Sequence, residues 1–537
     1  MDRPRHLRIY GLHSWSGIVL GLFVFVVCFT GCFALFYHEI QTWEDPARRL
    51  ELAENPVDID PILTAWVEET AAGEEIEFLR LSYPSETEPY YTTMFGVHPE
   101  GEKAEFFTAR WDTTTGARLP ERGAGLSEWL LDFHRDLMWP EGLGGRRIGR
   151  TLVGIAGIVL MLSIISGVVI HTKIFQELFT LRFFRSVRLK WQDTHKILGL
   201  WGLPFYSMIA VTGAFLGVVA ILAPIVAILT FKGDEEALIE AVVGKPLEPA
   251  GIEAPMYPLM AVGALRAETS GFAPSFVFAQ NWGDSNARYD VYFEADTELA
   301  HVEAIQLNGV TGARVANSRM DTVTPAQRVT NAVSPLHYAT FGGIALKLLY
   351  FILGLSLAVI TAFGLMLWIE RRLYGNAGRK SPAFYRRLSH LVTGTTLGFP
   401  LGTAVIFALD KLYTGAEATR LAWTAYTYFG VVGLAVIFAF LRRNDYRATK
   451  EIMAATGFVF MLVPVLNVMI TGGGLPQLLT SGHKVAGYVD VALLSLGALT
   501  LLTASRLPDR RPDSVSREER RARQPQPNPD LPPVAAE

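Results

Sequence analysis

Histidine is the residue type in this sequence whose placement carries chemistry. His13, His171, His195 and His390 lie at one end of apolar stretches, and His134 and His337 lie at the other end. Polar groups beside membrane spans are costly unless partnered or used. His13 is followed by Gly17 at +4 and by Thr30-Gly31 at +17 and +18, and His195 by Gly199 and Thr212-Gly213 at the same offsets. His134 precedes Gly144-Gly145 and His337 precedes Gly342-Gly343; the apolar stretches that follow close alike, with Gly167 four residues before His171 and Gly364 four before Trp368. The same order recurs in the loops between, where Thr115-Gly116-Ala117-Arg118 matches Thr311-Gly312-Ala313-Arg314. Two copies of one unit in the same orientation imply a pseudo-two-fold along the membrane normal.

Such an axis brings equivalent positions face to face, so His13 can oppose His195 and His134 can oppose His337. Two opposed neutral imidazoles are the axial ligands of a six-coordinate b-type haem. Two levels of them predict two haems b near opposite membrane faces, a wire for single electrons. Glycine at +4 and +8 keeps a helix face low enough for a porphyrin: Gly17 and Gly21 follow His13, Gly199 follows His195, and Gly394 and Gly398 follow His390. The same small residues also serve plain helix packing, and a lone histidine of this kind more often caps a helix or meets lipid headgroups. His171 is an alternative or additional ligand on the His13 level, where the second repeat carries Trp368. His390 lies outside the repeat. His6, His38, His98, His301 and His483 have no repeat partner and read as structural or solvated.

The remaining composition narrows the chemistry. The net charge of -4 over 537 residues provides no basic field for nucleic acid. Cys28 and Cys32, the two cysteines, fall four apart in one apolar run and read as small packing residues rather than a disulfide or metal site. No glycine cluster opens a helix after a strand as in a dinucleotide fold, so electrons would come from a separate donor, a cytoplasmic reductase or membrane quinol. P-loop, HExxH and nucleophile-base patterns are missing from the sequence, which argues against a hydrolase or ATPase.

Half the residues are hydrophobic and 19% are charged, the balance of a membrane protein. Apolar runs near 15–37, 149–171, 197–222, 344–369, 391–409, 419–441, 452–471 and 485–504 are each close to the roughly 20 residues that span a bilayer. The expected fold is an all-α membrane bundle of about eight helices: a duplicated two-helix unit plus four extra helices, with two extracytoplasmic α+β domains. Basic residues mark every second loop: Arg3, Arg5 and Arg8; Lys173, Arg182, Arg185, Arg188 and Lys190; Arg371, Arg372, Arg379, Lys380, Arg386 and Arg387; Arg442, Arg443, Arg447 and Lys450. Both termini are therefore expected in the cytoplasm. The division follows: 1–37, N-terminus and first span; 38–148, first extracytoplasmic domain; 149–222, second span, basic loop and third span; 223–343, second extracytoplasmic domain; 344–390, fourth span and basic loop; 391–505, spans five to eight; 506–537, a disordered cytoplasmic tail. The first run, from Trp15 to Tyr37, has no small-x-small cleavage site and reads as a retained helix rather than a signal peptide.

Several ordered stretches resemble the PepSY-associated transmembrane family of bacterial inner-membrane proteins: Leu12-His13-Ser14-Trp15-Ser16-Gly17, Leu131-Asp132-Phe133-His134-Arg135, Trp191-Gln192-Asp193-Thr194-His195-Lys196 running on to Leu203-Pro204-Phe205, and Pro335-Leu336-His337-Tyr338. The resemblance covers about residues 5–373. It implies PepSY-type domains in the two long loops and histidines at His13, His134, His195 and His337 that match the family's intramembrane ones. His171-Thr172-Lys173-Ile174-Phe175 is similar to the longer members. The family includes haem-containing reductases that release iron from ferric siderophores in the periplasm, and the resemblance implies that activity here. Trp129, Arg135 and Trp139 near His134 are candidates for a docking surface on their position in the sequence, although interfacial aromatics of this kind more often anchor a protein at the membrane surface. A second reading is a non-enzymatic adaptor whose loop domains bind a periplasmic protein or peptide. A transporter would need intramembrane acidic residues, of which the spans are nearly free.

Overall fold

The computed structural model describes residues 3–511 except 72, 86–87, 98–104, 121–124, 172, 178, 180–186, 235–236, 239–246, 267–270, 272, 294–303, 316–324, 375–379, 472–474 and 481–483. His98, His301 and His483, and the tail from 512, lie outside the described residues. In chain order the first repeat holds α1 (Arg3–Ala34), α2 (Tyr37–Glu44), α3 (Asp60–Ala71), β1 (Ile76–Ser82), β2 (Tyr90–Val97), β3 (Glu105–Asp112), α4 (Leu126–Asp136), α5 (Gly145–Ile170) and α6 (Ile174–Glu177). The second holds α7 (Val187–Trp201), α8 (Leu203–Phe231), α9 (Leu259–Gly263), β4 (Pro274–Gln280), β5 (Arg288–Phe293), β6 (Ala304–Asn308), α10 (Pro325–Tyr338) and α11 (Gly343–Leu373). Then follow α12 (Pro382–Leu412), α13 (Glu417–Arg442), α14 (Asp445–Thr471), α15 (Leu475–Thr480) and α16 (Lys484–Arg506).

Seven of these helices are long and apolar enough to cross a membrane, and an eighth span results if the bent pair α7 and α8 counts as one. The chain is a multi-pass membrane protein. The expected third span breaks where its equivalent α1 is one continuous helix: Arg188–Trp201 and Leu203–Val219 meet at 71°. Pro204 at the start of α8 has no N–H to continue the ladder and disfavours helix at the residue before it. The first repeat carries Leu22 at the matching place. Helix α1 packs on α5 and α11, and α8 on α5, so the four long repeat helices form one bundle. Where α5 and α8 cross, Gly154 and Gly217 bring backbones together: a Cβ at Gly217 would stand 2.4 Å from Gly154 Cα.

The two long loops do not form the two separate domains expected. Their strands join in one six-stranded antiparallel sheet of order β3-β2-β1-β4-β5-β6. At its centre β1 pairs with β4, with Leu81 opposite Val277 and Arg80 and Ser82 opposite Phe278 and Phe276. Leu81 and Val277 are repeat equivalents, so the pseudo-two-fold passes through that pair. Each three-stranded unit alone would leave β1 or β4 as a bare edge, and pairing the two edges satisfies both. Turns at the outer strands are copies of each other: Gly116 and Gly312 each have φ +69, and isolated bridges link Trp111 to Arg118 and Leu307 to Arg314. One sheet face is buried under α3 and α9 around Leu63, Trp66, Leu79, Val277, Tyr289 and Leu307. The helices interlock across repeats, since Asp60 of α3 accepts the backbone N–H groups of Leu259 and Met260 at 2.7 and 3.1 Å, capping α9.

The four added helices share a core with α1, α4 and α11 and are tied to α2 by polar contacts. Trp43 is fully buried and donates its indole N–H to Asp490 at 2.8 Å; Asn467 donates to the other oxygen at 2.9 Å, and Lys411 donates to the Trp43 carbonyl at 3.0 Å. Cys32 is buried in the core shared by α1 and its neighbours, and Cys28 packs against it one turn earlier.

Candidate intramembrane histidine pairs

The four repeat-related histidines meet as two pairs of equivalents. His13 of α1 faces His195 of α7 with ring centroids 6.2 Å apart and planes at 71°. His134 of α4 faces His337 of α10 at 6.3 Å and 18°. The first pair lies toward the end of the bundle away from the sheet, the second at the sheet end. His134 Nδ1 reaches the Val27 carbonyl, fourteen residues beyond His13 along α1, so the levels are about 21 Å apart at helical rise.

One local device positions all four. His13 Nδ1 donates to the Ser163 carbonyl at 2.9 Å, His195 Nδ1 to the Ile360 carbonyl at 3.0 Å, and His134 Nδ1 to the Val27 carbonyl at 3.0 Å. His337 Nδ1 lies 2.9 Å from Thr212 Oγ1; that hydroxyl gives its own proton to the Met208 carbonyl at 2.8 Å, so it accepts from the imidazole. Beside each contact the facing helix has a glycine, and the ring lies in the notch. A Cβ would come within 3.2 Å of His13 Cε1 at Gly167, 3.1 Å of His195 Cε1 at Gly364, 2.8 Å of His134 Cε1 at Gly31 and 3.0 Å of His337 Cε1 at Gly213. These are the glycines whose spacing marks the repeat. Because a carbonyl or an already donating hydroxyl can only accept, Nδ1 carries the proton and Nε2 keeps a lone pair, the tautomer that a metal-ligating histidine adopts.

The spacing of both pairs suits two axial ligands, and the room for a haem is visible at the His13–His195 pair. Metal–imidazole bonds of about 2 Å, with roughly 1 Å more from nitrogen to ring centre, put the centroids of opposed ligands about 6 Å apart. The pair at His13 and His195 opens on a cavity of ≈490 Å³ whose walls include Gly17, His171, Gly199 and Trp368, a volume in the range of cofactor sites. A Cβ at Gly17 or Gly199 would meet nothing within 4 Å, so both glycines face open space as a porphyrin requires. The buried Trp368 indole N–H has no acceptor among the described residues. His171 lines the wall, while the rings paired across the cavity are those of His13 and His195. Among the described residues no three His, Cys, Asp or Glu side chains cluster as a bare metal site would need.

Other expectations change. His390 is tied to Asp445, Nδ1 to Oδ1 at 2.6 Å. Gly394 and Gly398 after it are filled by α13: their Cβ positions lie 2.5 Å from Val436 Cα and 3.2 Å from Val432 Cα. Trp129 is no docking residue, for it is fully buried against Tyr428 of an added helix at 4.6 Å. Arg135 is held by Asp132 and Asp136, and Trp139 donates to the Leu143 carbonyl at 3.0 Å. His38 pairs with Glu88 at 3.2 Å. His6, read from sequence as structural or solvated, lines the cavity with Tyr10 and His13; their spacing of four and three on one helix face was the available signal.

The chain is 25% identical over 390 residues, 69% of its length and 92% of the relative's, to the "uncharacterized protein PA4219" of Pseudomonas aeruginosa. The family model described as PepSY-associated TM region matches residues 10–371, which takes in both histidine pairs and stops before α12, and the chain belongs to that family.

Proposed function

We propose that this protein is a b-type haem oxidoreductase of the bacterial inner membrane that passes electrons outward to a ferric siderophore and releases Fe(II) for uptake. The observation that carries this reading is the pair of imidazole pairs, each with Nδ1–H given away and Nε2 left for a metal. A haem held by each would supply one-electron transfer. His13 and His195 would hold one and His134 and His337 the other, with His171 and Trp368 in the wall of the first. The glycine notches fix the four rings, and Gly17 and Gly199 leave the macrocycle its room. Each ferric ion of the chelate would need one electron, drawn from a separate cytoplasmic reductase or quinol. Oxygen-donor chelators hold hard Fe(III) far more tightly than Fe(II), so that electron loosens the metal. Basic loops at the His13 end favour a cytoplasmic placement for both termini and a periplasmic one for the sheet.

The test is the optical spectrum and haem stoichiometry of the purified full-length chain. Reduced-minus-oxidised Soret and α bands with two haems per chain are expected, falling to one in His134→Ala and in His195→Ala. A colourless protein would overturn the reading and leave a membrane-anchored adaptor.

A further inference from the structure

The second face of the sheet is not covered as the first is. Tyr90 and Arg110, which alternate with the core residues Tyr91, Ala109 and Trp111, belong to this face. Arg48 donates to the Tyr90 hydroxyl at 3.4 Å, and Arg110 lines a small polar pocket with Gln41 and Glu44 of α2 and Glu128 of α4. The face is thus turned toward the bundle end that carries His134. At its middle, beside the Leu81–Val277 axis, lies an aromatic platform. Phe78 stacks on Phe278 at 5.1 Å and 15°, Phe276 on Tyr292 at 4.4 Å and 17°, and the Arg80 guanidinium lies over the Phe276 ring at 4.2 Å. All five side chains are half-buried.

Arg80 gives the platform its sign. Its Nε–H is shut from solvent and has no acceptor among the described residues. Burial pulls the guanidinium below its ordinary value, with Glu88 and Tyr292 pushing the other way. By contrast Asp290 on the same face is spoken for, accepting from Gln280 at 2.9 Å and Gln306 at 2.7 Å. A half-buried guanidinium with one buried N–H lacking an acceptor leaves a donor for an anionic ligand to complete, and stacked rings with an arginine favour a flat π-face. The Leu81–Val277 and His134–His337 pairs each join repeat equivalents, and the platform lies on the sheet face turned toward the bundle end that carries the outer imidazoles.

We propose that this platform is the docking site of the electron acceptor, and that the acceptor presents an anionic aromatic face, as a catecholate-type ferric chelate does. The inference rests on the reductase reading for the word acceptor, while the binding itself does not depend on haem. The probe is the redox-inert gallium(III) complex of 2,3-dihydroxybenzoate, titrated against the full-length chain in detergent by tryptophan fluorescence, with haem content read on the same samples. Wild type should bind, and more weakly as salt rises. Arg80→Gln should weaken binding about tenfold or more and Phe278→Leu severalfold, with Arg80→Lys in between; haem per chain should not change. Failure of wild type to bind, or equal binding by wild type, Arg80→Gln and Phe278→Leu, overturns the site and leaves the reductase reading standing. Arg80-dependent binding by a chain without haem overturns the reductase reading and keeps the site. If Arg80→Gln fails to fold, Phe278→Leu and the salt dependence decide.

Discussion

Helices α1 and α12 carry the same pattern, a histidine followed by glycines at +4 and +8, and use it in opposite ways. After His13, Gly17 faces open space in the ≈490 Å³ cavity. After His390, Gly394 is pressed against the α13 backbone, and the imidazole is held by Asp445, which also accepts from the Ser389 hydroxyl at 2.5 Å. The difference lies in what faces the helix. In the repeat, the neighbour supplies a glycine notch and an acceptor for each imidazole, a backbone carbonyl for His13, His134 and His195 and the Thr212 hydroxyl for His337, and the symmetric copy supplies a second imidazole. In the added helices no copy exists, and close packing consumes the low face. A glycine spacing therefore leaves an open groove here only where a repeat partner stands opposite.

The largest contrast is expected from the histidines themselves. His13→Ala should remove one of two haems, halving the Soret absorbance per chain, whereas His390→Ala should remove none. Loss of absorbance in His390→Ala would break the distinction between the two regions. The next contrast comes from the glycines. Gly17→Leu puts a side chain into open space, so haem content should fall to about one per chain with little change in the apo-protein's melting temperature. Gly394→Leu should do the reverse: haem content is kept, and stability drops by about 1–3 kcal/mol because α12 and α13 must part. Melting curves and pyridine haemochrome assays on the same preparations check both, and interchanged outcomes would refute the assignment of the two grooves.

Much of this arrangement was legible in the chain, and the rest hid for identifiable reasons. The repeat could be read because each landmark is a glycine or histidine whose spacing along one helix is set by the notch it fills: Gly31, Gly167, Gly213 and Gly364 each receive a ring. The spans could be read from length and apolarity, but the break before α8 could have been too, since Pro204 was visible and Leu22 shows that the first copy has no such break. The joining of the loops was not legible. Alternation in β1 and β4 marks two half-buried strands, and nothing local says that these two edges, almost two hundred residues apart, are each other's partner. Trp129 failed for a similar reason: its cover, Tyr428, lies on a helix outside the duplicated unit.

The smallest expected effect divides the two copies at their outer pair. His134 Nδ1 has the Val27 carbonyl at 3.0 Å as acceptor and Thr30 Oγ1 only at 3.4 Å, so Thr30→Val leaves the ring its main partner. Among the described residues His337 Nδ1 has Thr212 Oγ1 as its one acceptor, at 2.9 Å, and Thr212→Val strips it. Removing an outer hydrogen-bond partner of a ligating histidine costs about tenfold or more in affinity for the bound group. Haem titration of apo-protein should therefore show the outer site weakened about tenfold in Thr212→Val and scarcely changed in Thr30→Val. Equal losses in the two variants would mean that the copies hold their rings in the same way, and that the backbone carbonyl of Ile209, four residues before Gly213 as Val27 is before Gly31, takes over in the second.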